Sequence, residues 1–346
     1  MPTPSKLLTI VVPTYNMEKY LRRCLDSLIV SDEQMQVLEV LVINDGSKDS
    51  SSQIAHEYQD RYPQTFRVID KENGNYGSCV NRGLKEASGK YIKVLDADDW
   101  FDNEIFTRYL DVLNSIDVDL VLNNRQYVHS DGEVVCSETF SLPKDEIFNF
   151  YDYHASPSMH DVAYKTENVR KLDYHQSEGV SYTDTQWAFV PMFNVKTAYY
   201  TKEWMYKYLV GRQGQTMDKS VRYKSLSHWQ VVYGGFLEAF STKPYRDEAK
   251  AWLSDRLMGS INGLYKTFLI TLKDEHNEIL LKFDKFFKET YPDLYELSND
   301  KFVTSNKCKI RYVRDWRKRG KMNYNNPLIC LYREFLRIRN REKKYE

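Results

Sequence analysis

Residues 72–100 read ENGNYGSCVNRGLKEASGKYIKVLDADDW. From Ser78 to Ala87 the spacing is helical, Ser88-Gly89 closes the helix with Gly89 in the C-cap role, and YIKVL (91–95) is a nearly continuous apolar run of strand length. The run breaks into Asp96-Ala97-Asp98-Asp99-Trp100, a cluster of three carboxylates. A helix, a short connection, a buried strand and a polar cluster at the strand's carboxyl end make up the repeating unit of a parallel sheet.

The same unit recurs toward the N-terminus. LLTIVV (7–12), VLEVLVI (37–43) and FRVI (66–69) are further apolar runs, as expected of strands buried on both faces. Between the first two, Asn16 is a plausible N-cap, and Tyr20, Leu21, Cys24, Leu25 and Leu28 recur at helical spacing. Asp49 can cap the next helix, whose inner face is Ile54, Ala55 and Tyr58. The expected fold is therefore α/β, Rossmann-like, a mostly parallel sheet with helices on both faces and ligands at the strands' carboxyl ends.

After VDLVLN (118–123) the pattern loosens, with a hairpin signal at Asp131-Gly132. From about residue 219 the strand signals fade, and AKAWLSDRLMGSINGLYKTFLITL and NEILLKFDKFFKET have helical periodicity. The expected division is 1–218, the sheet domain, and 219–346, a helical and basic C-terminal domain. No internal repeat or low-complexity segment interrupts either part.

Composition bounds the function. The 346 residues are 42% hydrophobic and 28% charged, with 49 basic and 49 acidic side chains, a globular balance that excludes disorder. Five cysteines without CxxC spacing argue against a secreted disulfide framework and a structural zinc site. No signal peptide pattern and no run of about 18 apolar residues occurs, so the expectation is a cytoplasmic protein with at most peripheral membrane contact. Residues 301–346 nevertheless hold 15 Lys/Arg against 4 Asp/Glu. Such a tail suits an anionic surface, possible at the inner face of a membrane, or simply a solvated helix face.

Three clusters at strand ends carry chemistry: Pro13-Thr14-Tyr15-Asn16, Asn44-Asp45-Gly46-Ser47 and Asp96-Ala97-Asp98-Asp99. Close carboxylates raise one another's pKa unless a cation sits among them, so the third cluster either holds a hard ion or caps a helix beginning near Asp102. Both readings stand on these residues alone. Asp45 before Gly46 is, by itself, an ordinary turn residue.

Taken together, VVPTYN (11–16), VINDGSKDSS (42–51), residues 72–100, YTDTQW (182–187) and YLVGRQGQTMD (208–218) resemble the family 2 glycosyltransferases, which have the GT-A fold. The resemblance implies a nucleobase pocket starting at Pro13 and Tyr15, with Asp45 reading the base or ribose. It places Asp96 and Asp98 on the DxD motif that binds ribose and, through Mn2+ or Mg2+, the donor diphosphate, with Asp99 extending the cluster. Asp184 falls at the catalytic base, and Arg212 and Gln215 resemble the late loop closing over the diphosphate. Two departures stand out. Thr183 replaces the usual glutamate before Asp184, and Cys79-Val80-Asn81-Arg82-Gly83 lacks the family's arginine, Arg82 pointing about 100° away along a helix.

The implied reaction is inverting transfer from a nucleotide-diphosphate sugar, UDP-linked by expectation, to a hydroxyl of a glycan or lipid-linked acceptor in cell-surface polysaccharide or glycolipid synthesis. The competing readings are a silent nucleotide-sugar-binding or scaffolding subunit and a nucleotidyltransferase. Without the resemblance, Asp184 reads as a residue that complements a helix dipole. His160, His175 and His228 have no zinc spacing and read as structural or acceptor-side residues. The basic and aromatic C-terminus, with Leu328, Leu331, Tyr332, Phe335 and Leu336 along one helical side, suits a membrane surface or packing on the catalytic domain. No nucleic-acid-binding motif accompanies it.

Overall fold

The structure, a computed structural model, describes residues 6–212, 225–272, 277–304 and 309–342. These form two compact units, one of 6–212 with 243–250 and one of 225–242 with 251–342.

The first unit contains strands β1 (Leu8–Thr14), β2 (Leu38–Asn44), β3 (Phe66–Asp70), β4 (Tyr91–Val94), β5 (Trp100–Phe101), β6 (Leu120–Leu122), β7 (Arg125–Val128), β8 (Val134–Glu138), β9 (Ile147–Asn149), β10 (Val162–Lys165), β11 (Thr197–Tyr200) and β12 (Tyr206–Leu209). Its helices are α1 (Leu21–Asp26), α2 (Asp32–Val37), α3 (Ser51–Arg61), α4 (Asn75–Glu86), α5 (Asn103–Ser115), α6 (Thr166–Lys171) and α7 (Asp184–Trp187). An eight-stranded sheet has the order β3-β2-β1-β4-β10-β6-β11-β9, and a four-stranded sheet the order β5-β12-β7-β8.

Every residue of β1 and β2 is buried, which is why these segments read as unbroken apolar runs. β3, β2, β1 and β4 are parallel, with crossover helices leading into β2, β3 and β4. Beyond β4 the sheet departs from the mostly parallel expectation. β10 runs antiparallel to both β4 and β6, β11 is parallel to β6, and β9 is antiparallel to β11. The Asp131-Gly132 hairpin joins β7 to β8 in the second sheet, with Gly132 at φ +94°.

Local details correct three sequence expectations. Asn16 is not a helix cap: α1 starts at Leu21, and Asn16 instead sits at φ +54° with Oδ1 accepting from Lys48 N at 2.8 Å. That bond ties the loops after β1 and β2 together. Helix α4 starts at Asn75 rather than Ser78, and its C-cap is Ala87. Gly89 is required by proximity, since a Cβ there would lie 2.4 Å from Thr9 N on β1. Gly83 lets α4 lie on β1 in the same way, against Val11 Cγ1 at 2.4 Å.

The interruption in YIKVL is also explained. Lys93 is fully buried, and its Nζ donates to Asn123 Oδ1 (2.8 Å), His160 O (2.8 Å) and Val162 O (3.1 Å). Burial pulls its pKa down to about 7. The three bonds fix the start of β10, and with it His160.

The second unit is helical: α8 (His228–Thr242), α9 (Lys250–Lys266), α10 (Asn277–Thr290), α11 (Pro292–Lys301), α12 (Tyr312–Arg319) and α13 (Pro327–Glu342). Leu253, Leu257, Ile261, Tyr265, Phe283, Phe287 and Trp316 are among its buried side chains. Arg317 is buried with them because its charge is met: Nε donates to Asp284 Oδ1 at 2.8 Å, and the guanidinium lies 3.6 Å from the Tyr295 ring centroid. Among the described residues no helix is long and apolar enough to cross a membrane.

Candidate functional site

The parallel half of the sheet aligns its polar ends. Thr14 pairs with Asn44 in register, and Asp45 N donates to Thr14 O at 2.8 Å. Pro13 is buried in β1, while Tyr15 leaves the sheet with 45% of its surface exposed. Asp45 is more than a turn residue. It is buried, and its Oδ1 accepts from Lys71 Nζ at 2.5 Å and from Gly74 N at 2.9 Å, where α4 begins. Lys71 also donates to Glu72 O (2.6 Å) and Ser78 Oγ (2.8 Å).

The first turn of α4 reaches both acidic clusters. Ser78 stands by Asp45, and the hydroxyl of Tyr76 donates to Asp96 Oδ1 at 2.7 Å. In the acidic loop the three carboxylates have different partners. Asp96 Oδ2 lies 3.5 Å from His160 Nε2. Asp98 Oδ2 accepts from Arg212 Nε at 2.5 Å. Asp99 accepts from Tyr206 Oη and Leu209 N, both at 2.7 Å, and so fastens β12 to the loop. Burial, then the neighbouring carboxylates, push Asp99 well above the usual carboxylate range. Asp98 is raised by the same causes, opposed by Arg212. The capping alternative fails, because Asp102 caps α5 by accepting from Ile105 N at 3.2 Å.

Asp184 opens α7, directly after Tyr182 at φ +66° and Thr183. A positive φ on an aromatic residue costs energy, and the surroundings hold it in place. Thr183 Oγ1 accepts from Gln176 Nε2 at 2.9 Å, Gln176 N donates to Asn81 Oδ1 at 2.8 Å, and Ser177 N donates to Gln186 Oε1 at 2.9 Å. Asn81 Nδ2 also donates to Gln176 O at 2.9 Å. Gly77 allows the approach of this loop, since a Cβ there would meet Ser177 O at 2.0 Å. Helix α4 thus carries both the Asp45 anchor and the loop leading to Asp184. Burial raises the Asp184 carboxyl pKa, with His160 opposing the shift and Asp96 adding to it.

The structure therefore brings Asp96, Asp98, Asp99, Asp184 and Arg212 together, with Asp45 beside them at the other edge of α4's first turn. Pro13 and Tyr15 lie at the adjacent strand end. Gln215 lies outside the described residues. Arg82 does not replace the missing arginine; its Nε donates to Glu86 Oε1 at 3.0 Å, and Val80, at the family's arginine position, is buried. Sequence reasoning read His160 as structural or acceptor-side rather than as a neighbour of Asp96, and missed Tyr76, Tyr206 and Tyr208. The His160 ring is edge-on to Tyr206 and Tyr208 at 4.9 and 5.0 Å between centroids. The alternation of Tyr206 and Tyr208 just before Arg212 was the one signal available.

Ligand atoms of Asp96, Asp99 and His160 lie within 4.8 Å of one another. Two carboxylate oxygens and an imidazole nitrogen fit a divalent cation. The Asp98 carboxylate, one of the two the resemblance assigns to the metal, is ion-paired with Arg212.

The model of glycosyl transferase family 2 matches residues 9–154. An uncharacterized glycosyltransferase of Mycoplasma pneumoniae, the MG025 homolog, is 41% identical over 104 residues, covering 30% of this chain and 34% of that protein. The putative glycosyltransferase EpsH of Bacillus subtilis is 36% identical over 124 residues, 36% of this chain and 34% of that protein. The chain thus spans about a third of the length of these curated relatives. A longer match, 25% identical and covering 82% of this chain and 89% of the relative, is to the uncharacterized glycosyltransferase RT0329 of Rickettsia typhi. Among solved structures, S. aureus TarS 1–349, crystallised in complex with UDP-GlcNAc, covers 91% of this chain and 92% of its own at TM-score 0.62 and 18% identity. That likeness shows the fold.

Proposed function

We propose that this chain, whose residues 9–154 match the glycosyl transferase family 2 model and whose fold is that of TarS, transfers a sugar from a nucleotide-diphosphate donor, UDP-linked, to an acceptor hydroxyl with inversion. The observation carrying the reading is the convergence of Asp96, Asp98, Asp184, His160 and Arg212 from four separate segments. Residues 1–218 carry the transfer chemistry. The acceptor is a glycan or a lipid-linked glycan of the cell surface, and residues 301–346 meet a membrane face.

Pro13 and Tyr15 flank the base, and Asp45, fixed by Lys71 and Gly74, reads the nucleoside. Asp96, with Asp99 and His160 around it, would hold the Mn2+ or Mg2+ ion, and Asp98 would join them once Arg212 turns to the diphosphate; the ion's chemistry when bound is to neutralise the departing diphosphate. Arg212 adds a fixed cation to the same charge, and Gln215 follows it in the late loop. Asp184 takes the proton of the attacking hydroxyl from the opposite face of the sugar. Its raised pKa suits the task, since a more basic carboxylate accepts a proton more readily in the transition state.

A nucleotide-release screen with UDP- and GDP-sugars, with Mn2+ added and then chelated, tests the reading. Asp184→Asn should abolish release while UDP still binds. Full turnover by that variant would discard the base assignment; binding without turnover by the wild type would leave the silent nucleotide-sugar-binding reading, and absence of both with every donor would leave only a scaffolding role.

A further inference from the structure

Helix α13 is apolar on two sides. Ile329 is buried against its own unit, but Leu328, Leu331, Phe335 and Ile338 are 50%, 67%, 55% and 49% exposed. Their spacing places all four within about 80° of one another around the helix. Together they present roughly 400 Å2 of apolar surface, the size of the largest apolar patches on monomers, which are often functional. A second copy does not suit it. The patch is about half of what one partner commits to a stable protein interface, and dimerisation would bring together two segments that each carry 15 Lys/Arg against 4 Asp/Glu. The same charge favours an anionic partner. Arg311 and Arg314 pair with Asp300 and Arg317 with Asp284, whereas exposed Lys318, Arg319 and Lys321 have no ion pair among the described residues.

We propose that α13 docks the chain on an anionic phospholipid surface, inserting Leu328, Leu331, Phe335 and Ile338 at the headgroup boundary while the excess cations of the C-terminal segment meet the lipid phosphates. This deepens the reading that residues 301–346 meet a membrane, rests on it, and is independent of the sugar-transfer chemistry. It also gives a reason for leaving large side chains exposed on a helix whose opposite face is already packed.

The test is flotation of the full chain with vesicles of phosphatidylcholine, with or without phosphatidylglycerol, for the wild type and for Leu331→Ser/Phe335→Ser. Both positions are exposed and neither substitution changes charge, so circular dichroism and nucleotide release should be unaltered. The wild type should float with the phosphatidylglycerol vesicles, and the double variant should lose about tenfold or more in partitioning. Equal flotation of the double variant would overturn α13 as the docking element while leaving membrane contact intact. Equal binding to pure phosphatidylcholine would overturn the anionic partner. Absence of flotation with either vesicle would remove the membrane reading altogether. A wild-type dimer in sedimentation that the double variant dissolves would assign the patch to a second copy.

Discussion

Arg212 Nε lies 2.5 Å from Asp98 Oδ2, so a guanidinium occupies the carboxylate that the DxD motif assigns to a metal ion. The pair is mostly buried, where charges interact strongly, and Arg212 opposes the upward shift that burial imposes on Asp98. If Asp98 is a metal ligand, as proposed, the cation and Arg212 compete for one carboxylate until a donor diphosphate gives Arg212 another partner. Arg212→Ala should lower kcat/KM by about 10²-fold, the scale of one lost transition-state cation, yet tighten Mn2+ binding to the donor-free protein. Calorimetric titration with Mn2+ checks the second half. Unchanged or weaker ion affinity would show that Asp98 is not a ligand.

The Asp184 carboxyl is raised by burial, and His160 is the group that holds the shift in check. As a base it must be deprotonated, so kcat should fall as pH drops through a midpoint above the ordinary carboxylate range. His160→Asn removes the opposing influence and should move that midpoint further up, as a pH profile of nucleotide release would show. Stability has the opposite sign. A carboxyl with a raised folded pKa costs nothing while protonated, and it costs stability once pH rises past its unfolded value. Asp184→Asn should therefore raise the melting temperature at neutral pH while removing activity.

Gln176 links α4 to the start of α7 through Thr183, and this bond stands where the family usually has a glutamate. Thr183→Val removes the acceptor and leaves the buried Gln176 amide unpaired, a loss of about 1–3 kcal/mol. Because Gln176 orients the segment bearing Asp184, turnover should fall about tenfold with the donor KM unchanged. Thr183→Ser, which keeps the hydroxyl, should restore it. A parallel rise in donor KM would mean that the bond serves the fold in general.

Legibility in the sequence followed the range of the interactions. The strands of the parallel half were visible because burial on both faces leaves unbroken apolar runs, and the clusters at Asp45 and Asp96 were visible because their carboxylates are local. The pairing of His160 with the acidic loop was invisible. His160 reaches Asp96 only because buried Lys93 holds its carbonyl and the β10–β4 register places it there, and no spacing within the chain encodes that. The mixed half of the sheet was illegible for a related reason: β6, β9, β10 and β11 have three or four residues each, too few to show a period. Asn16 misled because an Asn before a helical pattern normally caps it, whereas here its side chain braces a neighbouring loop.

Lys71 offers a last test, because its charge and its position can be separated. Its ammonium makes three bonds, to Asp45, Glu72 O and Ser78, at the point where β3 turns into α4. Lys71→Met would strand the buried Asp45 carboxylate without its counter-charge, a loss of about 3–5 kcal/mol. If Asp45 reads the nucleoside, the donor KM should rise with kcat nearly unchanged, since the residues around Asp184 are held by other bonds. Lys71→Met combined with Asp45→Asn removes the stranded charge and should recover most of the melting temperature but none of the donor affinity. Recovery of both would mean that Asp45 serves only to anchor the turn, and base recognition would have to be sought at Pro13 and Tyr15 alone.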